Sequence, residues 1–502
     1  MVRTNLQRTA QSRVFTIEDR AAPGHTPEYQ TLTRATALTW SQGDVTPIRI
    51  PDPRQYGKFL TVDKIHGQPG LPGLSLEFRT TRDLSDVLAL VRKGCPLDIQ
   101  IHVGACKDPS DFDAGWEKIL VLEGAEITNY STGELGAFDA DQEAPVMETI
   151  DIVGEDYYEL KPLVFAEQAA SQIVQTVLDV VICDSKACGA CGIVSDGCQK
   201  VFAIQSATAG SPGLPSEVVF TDDGGATWDE TNITSLAANK SPDAIACVGP
   251  YLAAVSNGDC SIHYALLADI LTGTETWTEI VTGLVCATGA PNDLFSVSRT
   301  QTWIVGDGGY IYFSADITAG ATAQTSGDVT AQNLNCIHGF DEENLLVGGA
   351  AGALLLTRNG GATWSLVTVR AAQAAVAINA VWMLGENVWL VGYADGDLDY
   401  TIDGGVTWTQ KTVPGSLTSI TDIAFATPSV GYIAGGAAGP AGKLLRTING
   451  GNTWYVLPET SGQTVPTSDS FVAIAACGED PNLLWAGGLG ANGVDGILVK
   501  GA

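Results

Sequence analysis

Thr221-Asp222-Asp223-Gly224-Gly225-Ala226-Thr227-Trp228 is one of four near-copies of an eight-residue pattern in the second half of this 502-residue chain. The others run from Thr357 to Trp364, Thr401 to Trp408 and Thr447 to Trp454, with Asn359 and Asn449 replacing the aspartate. The pattern demands a tight reversal between two strands. Asp or Asn accepts hydrogen bonds from N–H groups of its own turn, and glycine tolerates positive φ where a Cβ would clash. The tryptophan covers the hairpin base and packs between neighbouring sheets. A turn repeated four times has a repeated structural job. Asp223, Gly225, Trp228, Asn359, Gly361, Trp364, Asp403, Gly405, Trp408, Asn449, Gly451 and Trp454 are therefore read as scaffold, not as metal ligands or acid/base catalysts.

Strands entering the turns begin at Ser216, His263, Tyr310, Ala353, Asp397, Lys443 and Gly496, a period of roughly 45 residues that units without a clean box still keep. Each is preceded by a short apolar strand such as Val201–Ile204 or Trp389–Tyr393, and in several units by another, clearest at Ile378–Met383 and Thr421–Ala426. Four strands per period make a propeller blade, and seven units fit. The boxes resemble the Asp-box of sialidase-like and photosystem-assembly-factor-like β-propellers. That resemblance implies an architecture and almost no chemistry. The last unit stops at Ala502 after its third strand, while the β-rich run Ile173–Cys183 (IVQTVLDVVIC) has no blade of its own. It is expected to supply the missing outer strand of the seventh blade and so remove an exposed edge.

The formal charge is −31, unevenly spread: residues 107–159 carry 2 basic and 15 acidic side chains, residues 174–502 carry 10 and 31. Such a balance argues against nucleic-acid binding by phosphate neutralisation. The amino terminus (MVRTNLQRTAQSRVF) lacks the apolar core of a secretory leader, and no stretch reaches membrane-spanning length. Synthesis in a host cytoplasm without secretion by that route is the expectation.

Residues 1–165 contain no box. Period-two alternation at Leu74–Leu76–Phe78, Leu97–Ile99–Ile101–Val103 and Val146–Val153 reads as strands. Arg82–Lys93 reads as one helix, with Leu84, Val87, Leu88 and Val91 on its buried stripe and Gly94 as its stop. The expected fold is mainly β: an amino-terminal β-sandwich or small barrel with one flanking helix, a short linker at 166–172, then a seven-bladed propeller over 173–502, with 173–183 completing the last blade. The element order across Gly43–Leu163 resembles the tail tube proteins of long-tailed bacteriophages. It is carried by GLSLEFRTTRDLSDVLALVRKGCPLDIQIHVGAC and then DPSDFDAGWEKILVLEGAEITNYSTGELGAFDADQEAPVMETIDIVGEDYYEL. The resemblance implies hexameric rings stacked into a hollow virion tail, assembled in the host cytoplasm, contacting other tail proteins and passing viral DNA without binding it specifically. Glu117, Glu123, Glu126, Glu148, Asp151, Glu155 and Asp156 are the candidates for an acidic lumen that repels phosphate.

Four of eleven cysteines cluster as Cys183, Cys188, Cys191 and Cys198. Zinc, an iron–sulfur loop, free thiols and disulfides stapling the local loop all compete, and disulfides lead. Cys247 with Cys260, and Cys95 with Cys106, are further candidate pairs, while Cys286, Cys336 and Cys477 read as buried apolar residues. A sialidase needs a three-arginine grip on its substrate carboxylate. Residues 174–502 offer only Arg299, Arg358, Arg370 and Arg446, and no histidine (His25, His66, His102, His263, His338) has ligand spacing. No catalytic residue, resident metal or cofactor is expected. The reading is a tail tube subunit displaying its propeller, with a surface adhesin for host glycan or protein as the alternative and a glycan hydrolase further behind.

Overall fold

A computed structural model describes the strands of residues 13–160 and most of 161–502, apart from 169–172, 174, 184–197, 207–216, 238–239, 286–287, 298–300, 325–328, 438–440, 459–463 and 492–494. The chain divides into two compact units, Met1–Lys161 and Pro162–Ala502.

Among the described residues the first unit holds ten strands: β1 Arg13–Glu18, β2 Tyr29–Leu32, β3 Ala35–Ser41, β4 Ile50–Pro51, β5 Phe59–Leu60, β6 Gly73–Arg79, β7 Leu97–Val103, β8 Lys118–Thr132, β9 Met147–Val153 and β10 Asp156–Leu160. Eight form one antiparallel sheet in the order β2-β1-β7-β8-β9-β6-β3, with β10 also on β8. The long β8 lets this sheet fold on itself. Its first half pairs with β7 and β10, its second half with β9. Ile99, Ile119, Val121, Leu122, Ile152 and Leu160 are buried, so both halves contribute to the core. The helix expected at Arg82–Lys93 lies outside the described residues.

The second unit contains seven four-stranded antiparallel sheets. Their first strands are Val177–Ile182, Ala244–Val248, Pro291–Ser296, Leu334–Gly339, Ile378–Gly385, Leu417–Phe425 and Ser468–Ala476. Each of these touches the next in order, and the seventh touches the first. A closed ring of radially stacked sheets is a β-propeller.

Ring closure differs from the sequence expectation. Val177–Ile182 is the first strand of sheet one, paired with Val201–Gln205, and not the outer strand of sheet seven. That place belongs to β11, Phe165–Glu167, which pairs with Gly496–Gly501 and lies partly inside the expected linker. Burial explains the swap. The apolar run is covered at Val177, Val180 and Ile182, an environment only the crowded centre supplies. An outer strand faces solvent, so the short, mostly exposed Phe-Ala-Glu suffices. Val164 and Ala502 exchange both backbone hydrogen bonds and extend the closure to the last residue.

All four boxes share one network. In the first, Thr227 N–H donates to Asp223 Oδ1 (2.9 Å), the Thr227 hydroxyl to Oδ2 (2.6 Å), and Gly225 N–H to the Thr221 hydroxyl (2.9 Å). These donors, chiefly the Thr227 hydroxyl, pull the Asp223 carboxyl down to about 2. Asn359 and Asn449 reproduce the geometry, each with Oδ1 on the N–H and Nδ2 on the hydroxyl of the threonine four residues on. The second box glycine does two jobs. Gly451 has φ +84°, and a Cβ there would meet Leu390 of the preceding sheet at 2.7 Å. Gly451→Ala should therefore lower stability by about 1–3 kcal/mol, read as a lower calorimetric midpoint; an unchanged midpoint would contradict that geometry.

Candidate functional site: the axial cleft

The first strands share a five-residue register that runs, in order, Val177–Val181, Pro242–Ala246, Pro291–Phe295, Leu334–His338, Ile378–Trp382, Ile420–Ala424 and Phe471–Ala475. In six of them a bulge falls between the first and third positions. The strands are edge strands of their sheets, so backbone groups are left facing the ring centre. Side chains of the preceding sheet serve them.

At the second position, amide or hydroxyl donors reach the first-position carbonyl of the next sheet. Asn292 bonds Leu334 O (2.9 Å), Asn335 bonds Ile378 O (3.0 Å), Asn379 bonds Ile420 O (3.0 Å) and Thr421 bonds Phe471 O (2.8 Å). At the third position three carboxylates serve two strands each. Asp179 takes the N–H of Val180 and of Ile245, both at 2.8 Å. Asp293 takes Leu294 (2.8 Å) and Ile337 (2.9 Å), and Asp422 takes Ile423 (2.7 Å) and Ile474 (2.8 Å). Acceptor-only side chains suit a row of orphan donors.

These strands enclose a cleft of about 480 Å³. Loss of hydration pushes Asp179 and Asp293 up to about 7 and Asp422 well above the usual carboxylate range, with repulsion from neighbouring carboxylates adding to the shift in the last two. One side of the wall is aromatic. Phe295, His338 and Trp382 line it, and the imidazole stacks on Trp382 at 3.8 Å between centroids. His338 Nδ1 accepts the Met383 N–H (3.2 Å), which places its ring proton on Nε2, and burial pushes its pKa down to about 3. The imidazole is neutral across the physiological range.

None of these cleft residues was singled out from sequence as functional. A signal was present: Asp179, Asp293 and Asp422 each interrupt an apolar strand at the same register. The residues that were singled out lie elsewhere. The box residues form turns, as expected. Cys183 bonds Cys247 and Cys198 bonds Cys477, so these two cysteines do not pair within their own cluster. A four-thiolate zinc or iron–sulfur site is excluded with them, because a disulfide sulfur is no thiolate ligand. Sequence spacing cannot see that Cys183 and Cys247 sit on adjacent sheets with Cα atoms 5.7 Å apart. Cys260 is disulfide-bonded, but not to Cys247. Cys477, expected as an unbonded core residue, is buried but bonded, whereas Cys336 is a buried free thiol. Cys95, Cys106, Cys188, Cys191 and Cys286 lie outside the described residues.

Among the lumen candidates, Glu117 and Glu155 lie outside the described residues. Glu123, Glu126, Glu148 and Asp156 are placed only as strand positions. Asp151 is half-buried and accepts the Ser75 hydroxyl at 2.7 Å, so it belongs to its own sheet's hydrogen bonding. Each described propeller arginine is engaged separately. Arg358 bonds Asn387, Arg370 pairs with Asp397 and Asp399, and buried Arg446 lies over Tyr432 and bonds Asn482. Among the described residues no three His, Cys, Asp or Glu side chains could hold a metal, and no helix is long and apolar enough to cross a membrane.

No protein-family model matches the chain, and no curated protein matches it. Among solved structures it is similar to YCF48 bound to D1 peptide, at 16% identity over 68% of this chain and 97% of that one, with a TM-score of 0.47. It is similar also to YCF48 from Cyanidioschyzon merolae, at 14% identity over 67% and 98%, with a TM-score of 0.48.

Proposed function

We propose that the chain is a non-catalytic structural virion protein, a tail tube subunit. Its amino-terminal unit builds stacked, hexameric rings around a conduit for viral DNA, and a seven-bladed propeller is displayed on the tail exterior. The observation that supports this most is the open sheet of the first unit. It ends in β2 and β3, and among the described residues neither has a partner strand on its outer side. Unpaired edges recruit strands from other copies. The excess of carboxylates in residues 107–159 suits a wall that must not hold phosphate. The described propeller arginines, each engaged by different partners, do not converge on one point, which supports a non-catalytic role.

Electron microscopy of the purified full chain tests the reading: rings or tubes are expected. Thr31→Pro in the edge strand β2 should abolish them, because proline removes an N–H and resists pairing. Isolated monomers at every concentration would overturn it. A second reading, a surface adhesin, is favoured by the axial cleft, and repeated copies along a tail would multiply weak contacts.

A further inference from the structure

Three shared carboxylates cannot serve seven strands. Asp179 covers sheets one and two, Asp293 three and four, Asp422 six and seven. Sheet five is left over. The N–H at its fourth position, on Val381, finds no such acceptor, because the third position is Ala380 in its own sheet and Cys336 in the preceding one. Val381 lines the cleft together with His338 and Trp382 of the aromatic wall.

We propose that this gap is a subsite for a neutral secondary amide, such as an acetamido group or a peptide bond. The Val381 N–H is a donor for its carbonyl oxygen. Asn379, whose Nδ2 is committed to Ile420 O, keeps its Oδ1 as an acceptor for the ligand's N–H. The rings of Phe295, His338, Trp382 and Phe425 pack in a row, and the edges that Phe295, His338 and Trp382 turn to the cleft offer apolar surface to a methyl group. Charge selects the class. Asp293 and Asp422 on the same cleft disfavour anions, while the Val381 N–H and the His338 Nε2–H, both donors, disfavour cations. A neutral group carrying one acceptor and one donor satisfies both constraints. The cleft volume lies within the usual range for small-ligand sites. This subsite lies in the propeller alone and does not depend on whether the chain assembles.

The test titrates the full-length chain with N-acetylglucosamine, N-acetylalanine methylamide and glucose, followed by saturation-transfer NMR and calorimetry. Saturable binding of one or both amides, at least tenfold tighter than glucose, is expected, and which of them binds identifies the sugar or the peptide as source. Ala380→Asp installs in sheet five the carboxylate that caps the fourth-position N–H in sheets one, three and six. It should weaken amide binding at least tenfold. Trp382→Ala should weaken it comparably by removing the apolar edge and the packing that holds His338 in place. Should either variant misfold, the wild-type Val381 amide resonance decides: it shifts on titration while that of Val180, already capped, stays still. No saturable amide binding, Ala380→Asp binding as tightly as wild type, or an unmoved Val381 resonance would each overturn the proposal.

Discussion

Reducing the folded chain should lower its unfolding midpoint by roughly 10 °C or more, the combined effect of bridges each worth about 2–5 kcal/mol. Both described disulfides hold sheet one to its neighbours. Cys198–Cys477 spans 279 residues and ties sheet one to sheet seven, and Cys183–Cys247 spans 64 and ties it to sheet two. In the chain-entropy view the longer loop removes more freedom from the unfolded chain, so the seam bridge should dominate. Its position strengthens the case. Across that seam the ring is otherwise closed by the three-residue strand Phe165–Glu167 and by side-chain packing around Trp485, Val177 and Val180. Scanning calorimetry with and without dithiothreitol reads the effect. The Cys198→Ser/Cys477→Ser pair should reproduce the larger share, and Cys183→Ser/Cys247→Ser the smaller. Equal midpoints in oxidised and reduced chain would show that packing alone closes the ring.

The propeller was legible because its strongest signal is local. Thr, Asp or Asn, Gly and Trp act within eight residues, and the blade period follows from counting them. Closure was not legible, because Val177–Ile182 and Phe165–Glu167 compete for one role, and only the burial available at each place decides between them. The cleft was hidden for a related reason. An aspartate in a strand reads alone as a solvated residue, and its two partners lie one on its own strand and one 44 to 66 residues away, as Asp293 to Ile337 and Asp179 to Ile245 show. Cysteine pairing failed likewise: the x4, x2 and x6 spacings suggested one local cluster, whereas the ring brings Cys198 to Cys477.

Asp422→Asn should cost about 2–4 kcal/mol at pH 6, although the change conserves shape. The carboxyl group accepts one N–H on each oxygen, from Ile423 and Ile474, and when protonated its hydroxyl oxygen still keeps a lone pair for the second N–H. An amide keeps one acceptor and turns a donor toward the second N–H, leaving a buried donor facing another. The pH dependence gives this loss a signature. Asp179 and Asp293, raised to about 7, and Asp422, raised well above its ordinary value, bind more protons folded than unfolded. Their stabilising contribution is complete below about pH 4 and is lost as pH rises through the folded values. Asp243, raised by burial and by Asp307, acts in the same sense. His338 and His263, lowered to about 3 and 4, act oppositely, gaining stability as pH rises toward the unfolded histidine value near 6.5. Between about pH 4 and 6.5 the two sets oppose each other, and because the raised carboxylates outnumber the two histidines stability should fall with pH, but less steeply than the carboxylates alone would give. Between pH 6.5 and 8.5 the histidines are neutral in both states and only the carboxylates count. Stability should then fall by roughly 1–3 kcal/mol, a figure reduced because these side chains are half-buried at a wet cleft. Asp422→Asn should shrink that slope while lowering the pH 6 midpoint, so its deficit narrows as pH rises. Urea unfolding of both proteins across this range reads the two effects together. A wild-type midpoint that does not fall from pH 6.5 to 8.5 would mean the carboxylates are ionised without penalty, and that their bridging of two strands is not a desolvated contact.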